Sequence, residues 1–257
     1  MKNQPDNTPL LSIKNVTKKF GGVLALSDVS LDIGHNEVVA LIGDNGAGKT
    51  TLIKVITGVN KINSGEISFK NQKFTTHSVK QSRDMGIETV YQEKALADQQ
   101  ALWRNIFMGR ELTSFFGIIN VKKQKQITER LLREEMGFTS SVINVDSDCS
   151  GLSGGEKQGI AISRALYFDA DLIIMDEPTM GLSLSETEKV LNFVKEIRGK
   201  GKSCIFISHN ILHIYDVADR FVIMDRGTIA ANFVKEEISM DDLSEKMKIL
   251  ARTGHIS

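Results

Sequence analysis

The chain has 257 residues, 41% hydrophobic and 25% charged, an ordinary globular balance with enough length for one large or two small domains. Its 32 basic and 32 acidic side chains cancel, so net charge gives no global reason to expect nucleic acid or an anionic membrane surface. No apolar run approaches the roughly 18 residues of a membrane span, and the polar stretch from Met1 to Pro9 does not read as a signal peptide, so membrane association is expected only through a partner.

Alternation of apolar and polar residues at Leu11–Val16, Val29–Ile33 and Glu66–Phe69 predicts half-buried strands. Turns at Gly21-Gly22 and Asn63-Ser64-Gly65 separate them, as antiparallel pairing needs. The run Glu37–Ile42 is β-branched and apolar, the composition of a buried parallel strand. It leads into Gly43-Asp44-Asn45-Gly46-Ala47-Gly48-Lys49-Thr50, which fits the phosphate-binding loop pattern, and helical spacing follows from Thr51 to Ile56. Glycines let successive N–H groups turn inward, and the helix start adds its unpaired donors. Lys49 can set a positive charge on the β and γ phosphates; at about 4 Å and an effective dielectric near 20, one such contact is of order 4 kcal/mol. Thr50 can offer its hydroxyl to Mg²⁺, which keeps most of its waters and takes few protein ligands. The pattern predicts a nucleoside triphosphate site.

From about residue 93 to 168 the pattern is almost wholly helical. Trp103, the only tryptophan, lies in the stretch Tyr91–Arg110 with Leu96, Leu102 and Phe107 among charged neighbours. These apolar residues suit either the core of a helical insert or a groove for a partner. Lys122-Lys123-Gln124-Lys125 reads as the solvated face of a helix. Leu152-Ser153-Gly154-Gly155-Glu156-Lys157-Gln158 opens the next helical run. Ser153 is a suitable N-cap and the glycines expose N–H groups, which predicts a second anion-binding helix start.

The run Asp171–Pro178 is an apolar strand that delivers Asp176 and Glu177 at its C-terminal edge, where α/β sheets bind ligands. Asp176 is placed to hold a metal's water shell and Glu177 to orient and activate a water. Ser185 to Arg198 is helical, Ile205-Phe206-Ile207 is a further buried strand with His209 at its end, and Met240 to Ala251 reads as a closing amphipathic helix. Cys149 and Cys204 lack metal-ligand spacing. Cys204 sits in an apolar run, which suits core packing in a reducing compartment.

One nucleotide does not need two phosphate cradles in one subunit. With that surplus, the order of phosphate loop, Leu-Ser-Gly-Gly and strand-borne Asp-Glu resembles the ATP-binding cassette (ABC) family over nearly the whole chain. Glu156 stands where the family's signature motif, Leu-Ser-Gly-Gly-Gln, ends in glutamine. The resemblance implies one α/β domain: a P-loop NTPase core with a parallel sheet and an antiparallel β subdomain (about 1–92 and 169–239), a helical signature subdomain (about 93–168), and a C-terminal helix and tail (240–257). It implies ATP and Mg²⁺ as bound groups. Phe20 would stack on adenine; Gly43, Asp44, Asn45, Gly46, Ala47, Gly48, Lys49, Thr50 and Thr51 would hold the phosphates. Thr50, Gln92 and Asp176 would serve the metal. Glu177, His209, Lys49 and Gln92 would serve catalysis, with His209 on the γ-phosphate. Ser153, Gly154, Gly155 and Glu156 would close on the nucleotide of a second copy, in a head-to-tail dimer. The following loop departs from the family's Ser-Ala-Leu-Asp, reading Met180-Gly181-Leu182-Ser183; Ser183 can still hydrogen-bond, while Gly181 loosens the turn.

The wording of Tyr91–Arg110, with Gly43-Asp44-Asn45-Gly46, resembles the ribose, xylose and fructose class of bacterial monosaccharide importers. That implies an ATP-hydrolysing subunit on the cytoplasmic face of the membrane, peripheral through integral membrane permease subunits. A periplasmic or lipid-anchored sugar-binding protein would act indirectly, and no nucleic acid is expected. Many relatives in that class fuse two cassettes; one cassette here makes a homodimer the simplest expectation. Two alternatives stay open: a soluble ABC ATPase of translation or repair, and an importer ATPase for nucleosides or branched-chain amino acids.

Overall fold

The computed structural model describes residues 8–74, 77–91, 96–134 and 144–255. The chain divides into two compact units, one of Met1–Thr89, Ala170–Glu177 and Leu191–Ser257, the other of Val90–Asp169 and Pro178–Val190.

The first unit carries two sheets. One is antiparallel, built from β1 (Leu11–Phe20), β2 (Val23–Ile33), β4 (Ser64–Phe69) and β5 (Gln72–Phe74) in the order β2-β1-β4-β5. Leu11 faces both Ile33 and Phe69, and Ile13 faces Leu31 and Ile67, so the alternating apolar residues gather on one buried face. The turn expected at Asn63-Ser64-Gly65 is shorter than its motif, because Ser64 and Gly65 already belong to β4. Gly65 has φ +96, and a Cβ there would lie 2.5 Å from the Asn15 carbonyl oxygen. Only a glycine lets β4 close onto the irregular stretch of β1, where the register shifts between Lys14 and Thr17.

The other sheet has six strands in the order β10-β9-β3-β8-β7-β6, where β3 is Val38–Ile42, β6 Ile87–Val90, β7 Leu172–Asp176, β8 Ser203–Ile207, β9 Arg220–Asp225 and β10 Thr228–Val234. β3 pairs in parallel with both β8 and β9, and β7 with β8; β10 returns antiparallel to β9. Every residue of β3 and β8 is buried, which explains their unbroken apolar runs. Cys204 is one of them. Ahead of β3, Glu37 accepts from Arg220 Nε at 2.6 Å and Nη2 at 3.0 Å and from the Gly34 N–H at 2.6 Å. This ion pair fixes where β3 enters beside β9. Helices α1 (Lys49–Ile56), α2 (Val79–Met85), α7 (Ile211–Val217) and α8 (Met240–Thr253) complete this unit. Ser239 caps α8, which runs past Ala251 to a left-handed Gly254.

The second unit holds α3 (Leu102–Phe107), α4 (Val121–Glu134) and α5 (Gly154–Tyr167); α6 spans Leu184–Gly199. The region from 93 to 168 is less helical than its pattern suggests. Gly109 and Gly117 adopt φ +76 and +75, and bridges join Ala101 to Asp148 and Thr113 to Ile119. Left-handed glycines end the helical path before α4. Leu96, Leu102 and Phe107 are buried with Leu131, Cys149 and Ile160. The partner-groove reading of those three residues is therefore corrected: they are core. Buried Asn105 secures the entry to α3. Its Oδ1 accepts from the Ala97 N–H at 2.7 Å, and its Nδ2 donates to the Ala97 and Gln100 carbonyls and toward Cys149 Sγ, each at 3.1 Å.

Candidate functional site

The phosphate loop joins β3 to α1. Gly43, Gly46 and Gly48 sit at φ +152, +88 and +104, a backbone that L side chains rarely adopt. Space excludes side chains as well: a Cβ on Gly43 would lie 2.3 Å from the Met224 carbonyl oxygen, and one on Gly48 3.0 Å from that of Ala25. The loop frames a cleft of about 480 Å³, completed by Val23, Leu24, Arg226 and Gly227. Helix α1 begins there with no side-chain cap and no acidic residue in its first turn. Its leading N–H groups and its dipole are left to an outside anion.

Lys49 folds over this loop, its ammonium donating to the carbonyls of Gly43 and, at 3.0 Å, Asp44. Burial lowers its pKa, while Glu177, Asp176 and Asp44 oppose that shift. Burial first, then Glu177 beside it, raises the Asp176 carboxyl; Lys49 and Lys54 pull it back. Two carboxylates and a lysine thus share one field where β3 and β7 end. The available donors are a carboxylate and the Thr50 hydroxyl, with room for phosphate oxygens and water, a set that fits Mg²⁺ rather than a metal needing a protein cage.

Glu177 follows β7 at φ +49, a strained value for a branchless but bulky acid. Its N–H donates to the Ile207 carbonyl at 3.0 Å, which holds the turn against β8. The strain aims its carboxylate at His209, whose Nδ1 lies 3.1 and 3.2 Å from the two oxygens. Asp176 and Ile207 are register partners, so the ends of β7 and β8 bring residues 32 positions apart into contact.

In the second unit Ser153 and Glu156 form a reciprocal capping box. Ser153 Oγ accepts from the Glu156 N–H at 3.2 Å, and Glu156 Oε2 accepts from the Ser153 N–H at 2.8 Å. The Gly155 N–H is also taken, donating to Glu186 Oε1 at 3.1 Å. This helix start therefore differs from that of α1: three of its N–H groups are held within the chain, by Glu156, Glu186 and the Ser153 hydroxyl.

Phe20 ends β1 with 45% of its surface exposed, and Lys18 Nζ stands 4.7 Å from its ring centre. That exposure sets aside a core role for it. Gln92 lies outside the described residues, as do residues 93–95. Met180 is exposed and Gly181 sits at φ +75; Ser183 hydrogen-bonds, donating to Glu186 Oε2 from N–H at 2.9 Å and from Oγ at 2.8 Å. Three participants were not foreseen. Gly227 donates to the Ala47 carbonyl at 2.9 Å and accepts from the Ser27 N–H at 2.8 Å, with Arg226 beside it on the cleft. Glu186 is the third; its place three residues after Ser183 is a capping signal that sequence reading could have used.

Comparison with known proteins shows the family of the chain. A family model described as ABC transporter matches residues 26–180. The chain is 41% identical over 242 residues to the xylose/arabinose import ATP-binding protein of Sulfolobus acidocaldarius, covering 94% of this chain and 95% of that protein. It is 34% identical to the fructose import ATP-binding protein of Rhizobium meliloti, covering 91% and 92%. Against the ribose import ATP-binding protein of Caldanaerobacter subterraneus it is 36% identical over 93% of its own length but spans only 47% of that relative. Among solved structures, a nucleotide-free ATP-binding cassette from an ABC transporter superposes with a TM-score of 0.77 at 26% identity, covering 92% of this chain and 96% of that one.

Proposed function

Because the chain belongs to the ABC transporter family of ATP-binding cassettes, we propose that it is the ATP-hydrolysing subunit of an importer. It energises uptake of a monosaccharide of the xylose, ribose and fructose class through a partner permease. The relatives named for xylose/arabinose, ribose and fructose import support the cargo class. The observation that carries the activity is the acid-and-histidine cluster of Asp176, Glu177 and His209 beside an uncapped phosphate loop.

In this reading Lys49 exchanges its carbonyl partners for β and γ oxygens, and the α1 N–H groups take the rest of the phosphate charge. Phe20 stacks on adenine. Thr50 and Asp176, with Gln92, would hold Mg²⁺, which when bound would neutralise charge on those oxygens. Glu177 positions a water for in-line attack on the γ-phosphorus, and His209 steadies that phosphate; catalysis is positioning and electrostatics.

The signature residues Ser153, Gly154, Gly155 and Glu156 act on the nucleotide of a second copy, in a head-to-tail dimer. Triphosphate favours closure only by binding the closed state more tightly. A preference of about 10⁴-fold, about 5.5 kcal/mol, would carry the dimer from mostly open to mostly closed. We place residues 1–92 and 169–239 in the core, 93–168 in the signature subdomain and 240–257 in the tail. The subunit sits at the cytoplasmic face through its permease, with a sugar-binding protein delivering cargo on the other side.

The test combines two measurements. Glu177→Gln with ATP and Mg²⁺ should elute as a dimer in size-exclusion chromatography, and a strain deleted for this chain should lose uptake of at least one of xylose, arabinose, ribose and fructose. A variant that stays monomeric even with permease present would sink the clamp. Undiminished uptake of all four sugars would sink the cargo class.

A further inference from the structure

The segment between α3 and α4 folds into a small ordered hairpin. The Ser114 N–H donates to the Ile118 carbonyl at 2.7 Å, the Gly117 N–H to Ser114 at 3.0 Å, and the Asn120 N–H to Leu112 at 2.7 Å. Gly117, at φ +75, turns the chain. The tip is Phe115-Phe116, and these rings are 98% and 85% exposed. They meet each other edge to face, 5.6 Å apart at 86°. Ile118 follows, also largely exposed. Nothing in the turn requires such residues, since Gly, Asn, Asp and Ser serve turns better.

The next element breaks a second folding preference. Helix α4 opens with Lys122, Lys123 and Lys125 and has no acid in its first turn, although a helix start favours negative charge. Lys125 pairs with Asp146, while Lys122 and Lys123 stand exposed. From Met108 to Lys125 there are four basic residues and one acid; Arg110 packs on the Phe168 ring and Lys125 on Asp146, which leaves Lys122 and Lys123 as the exposed cations that follow the aromatic tip. Apolar rings ahead of lysines are the chemistry of an interfacial membrane contact: rings enter the headgroup boundary and lysines meet anionic lipid.

We propose that the Thr113–Ile119 hairpin with the start of α4 is a finger that docks on an anionic lipid bilayer. A permease loop fits less well, because cytoplasmic loops of membrane proteins carry excess Lys and Arg, which would repel Lys122 and Lys123, whereas the cytoplasmic leaflet is negative. The inference rests on the proposed seat of this subunit at that leaflet. It adds a direct lipid contact to the tether through the permease.

The experiment is co-sedimentation of the full chain with phosphatidylcholine vesicles, with and without phosphatidylglycerol, at low salt. The wild-type chain should partition onto the anionic vesicles and scarcely onto neutral ones. Phe115→Ser with Phe116→Ser, changes at solvent-facing positions, should weaken partitioning about 10-fold or more. Lys122→Ser with Lys123→Ser should also weaken it about 10-fold, and added salt should mimic that loss. In a Phe115→Trp variant, emission should shift to the blue on anionic vesicles, reporting burial of the tip rather than loose adsorption. Equal binding by wild type and the double phenylalanine variant would overturn the finger. So would a wild-type chain that ignores anionic vesicles but self-associates through Phe115 and Phe116, which would assign the tip to a second copy. ATP binding measured on the same samples separates the two readings. Nucleotide binding without vesicle binding removes only the finger, and vesicle binding without nucleotide binding removes the ATPase reading instead.

Discussion

Glu186 and Gly155 are joined by a hydrogen bond of 3.1 Å, from the Gly155 N–H to Oε1, while Oε2 of the same carboxylate accepts from Ser183 N–H and Oγ. A single acid thus satisfies donors at the starts of both α5 and α6, one in the signature segment and the other in the loop after Glu177. A Cβ on Gly155 would lie 2.5 Å from Glu186 Cγ, so glycine there is what admits the contact. The donors hold the Glu186 carboxyl at about 2, with the Ser183 backbone the largest cause.

The sign of the resulting pH dependence follows from that depressed value. The carboxylate is favoured in the folded chain, so its contribution is complete above the ordinary glutamate range. It is lost as pH falls from about 4.5 toward about 2. Thermal midpoints measured across that window should fall more steeply for the wild type than for Glu186→Gln. Parallel curves would mean the bridge contributes nothing.

Lys49 and Glu177 should separate binding from chemistry. Lys49→Ala removes a charge-assisted contact, and a loss of about 1.5–3 kcal/mol corresponds to roughly 10–150-fold weaker ATP binding. Glu177→Gln keeps the shape of the carboxylate and its turn, so affinity should stay near wild type while turnover falls about 10²–10⁴-fold. Titration calorimetry and steady-state hydrolysis measure the two quantities. Wild-type turnover in the glutamine variant would remove Glu177 from the reaction.

Gly43→Ala should damage the phosphate loop through geometry alone. The new methyl would meet the Met224 carbonyl oxygen at 2.3 Å, at φ +152. The backbone must shift or remain strained, at a cost of about 1–3 kcal/mol. Gly181→Ala adds a methyl in open space and loses only the left-handed preference. Nucleotide affinity should therefore fall in the first variant and hold in the second, as equilibrium dialysis would report.

Both cysteines should be silent to thiol reagents in the folded chain. Cys149 is fully buried, and burial followed by Asp98 pushes its thiol up to about 11. Burial alone raises Cys204 further. Little thiolate forms at neutral pH and no path leads to it. Aromatic-disulfide titration should release almost no chromophore until denaturant is added, then two equivalents, one for each cysteine. Rapid labelling of Cys149 in the native chain would show that the core around Phe107 and Leu131 opens readily.

Legibility in the sequence followed distance along the chain. The phosphate loop could be read because its groups act within two turns of one another. Gly43, Gly46 and Gly48 need no distant partner to expose N–H groups, and Lys49 needs only the loop it folds over. The apolar runs of β3, β7 and β8 were equally plain, since burial on both faces leaves no polar position to confuse the period. Pairing failed where composition was mixed. Leu96, Leu102 and Phe107 carry the same residues whether they face a partner or a core, and only the arrival of Leu131, Cys149 and Ile160 decides between them.

By itself, then, the sequence determined the chemistry of each segment: which turn cradles phosphate, which strand ends in acids, which helix starts with a cap. Tertiary structure alone decided which of those segments meet. The strand order β3-β8-β7 sets Glu177 against His209, the β9–β10 turn brings Gly227 onto Ala47, and Glu186 spans two helix starts that are 30 residues apart at Gly154 and Leu184. Local patterns encode groups that neighbour each other along a helix or strand. Contacts between distant segments depend on sheet order and register, which are settled by the burial of the whole core.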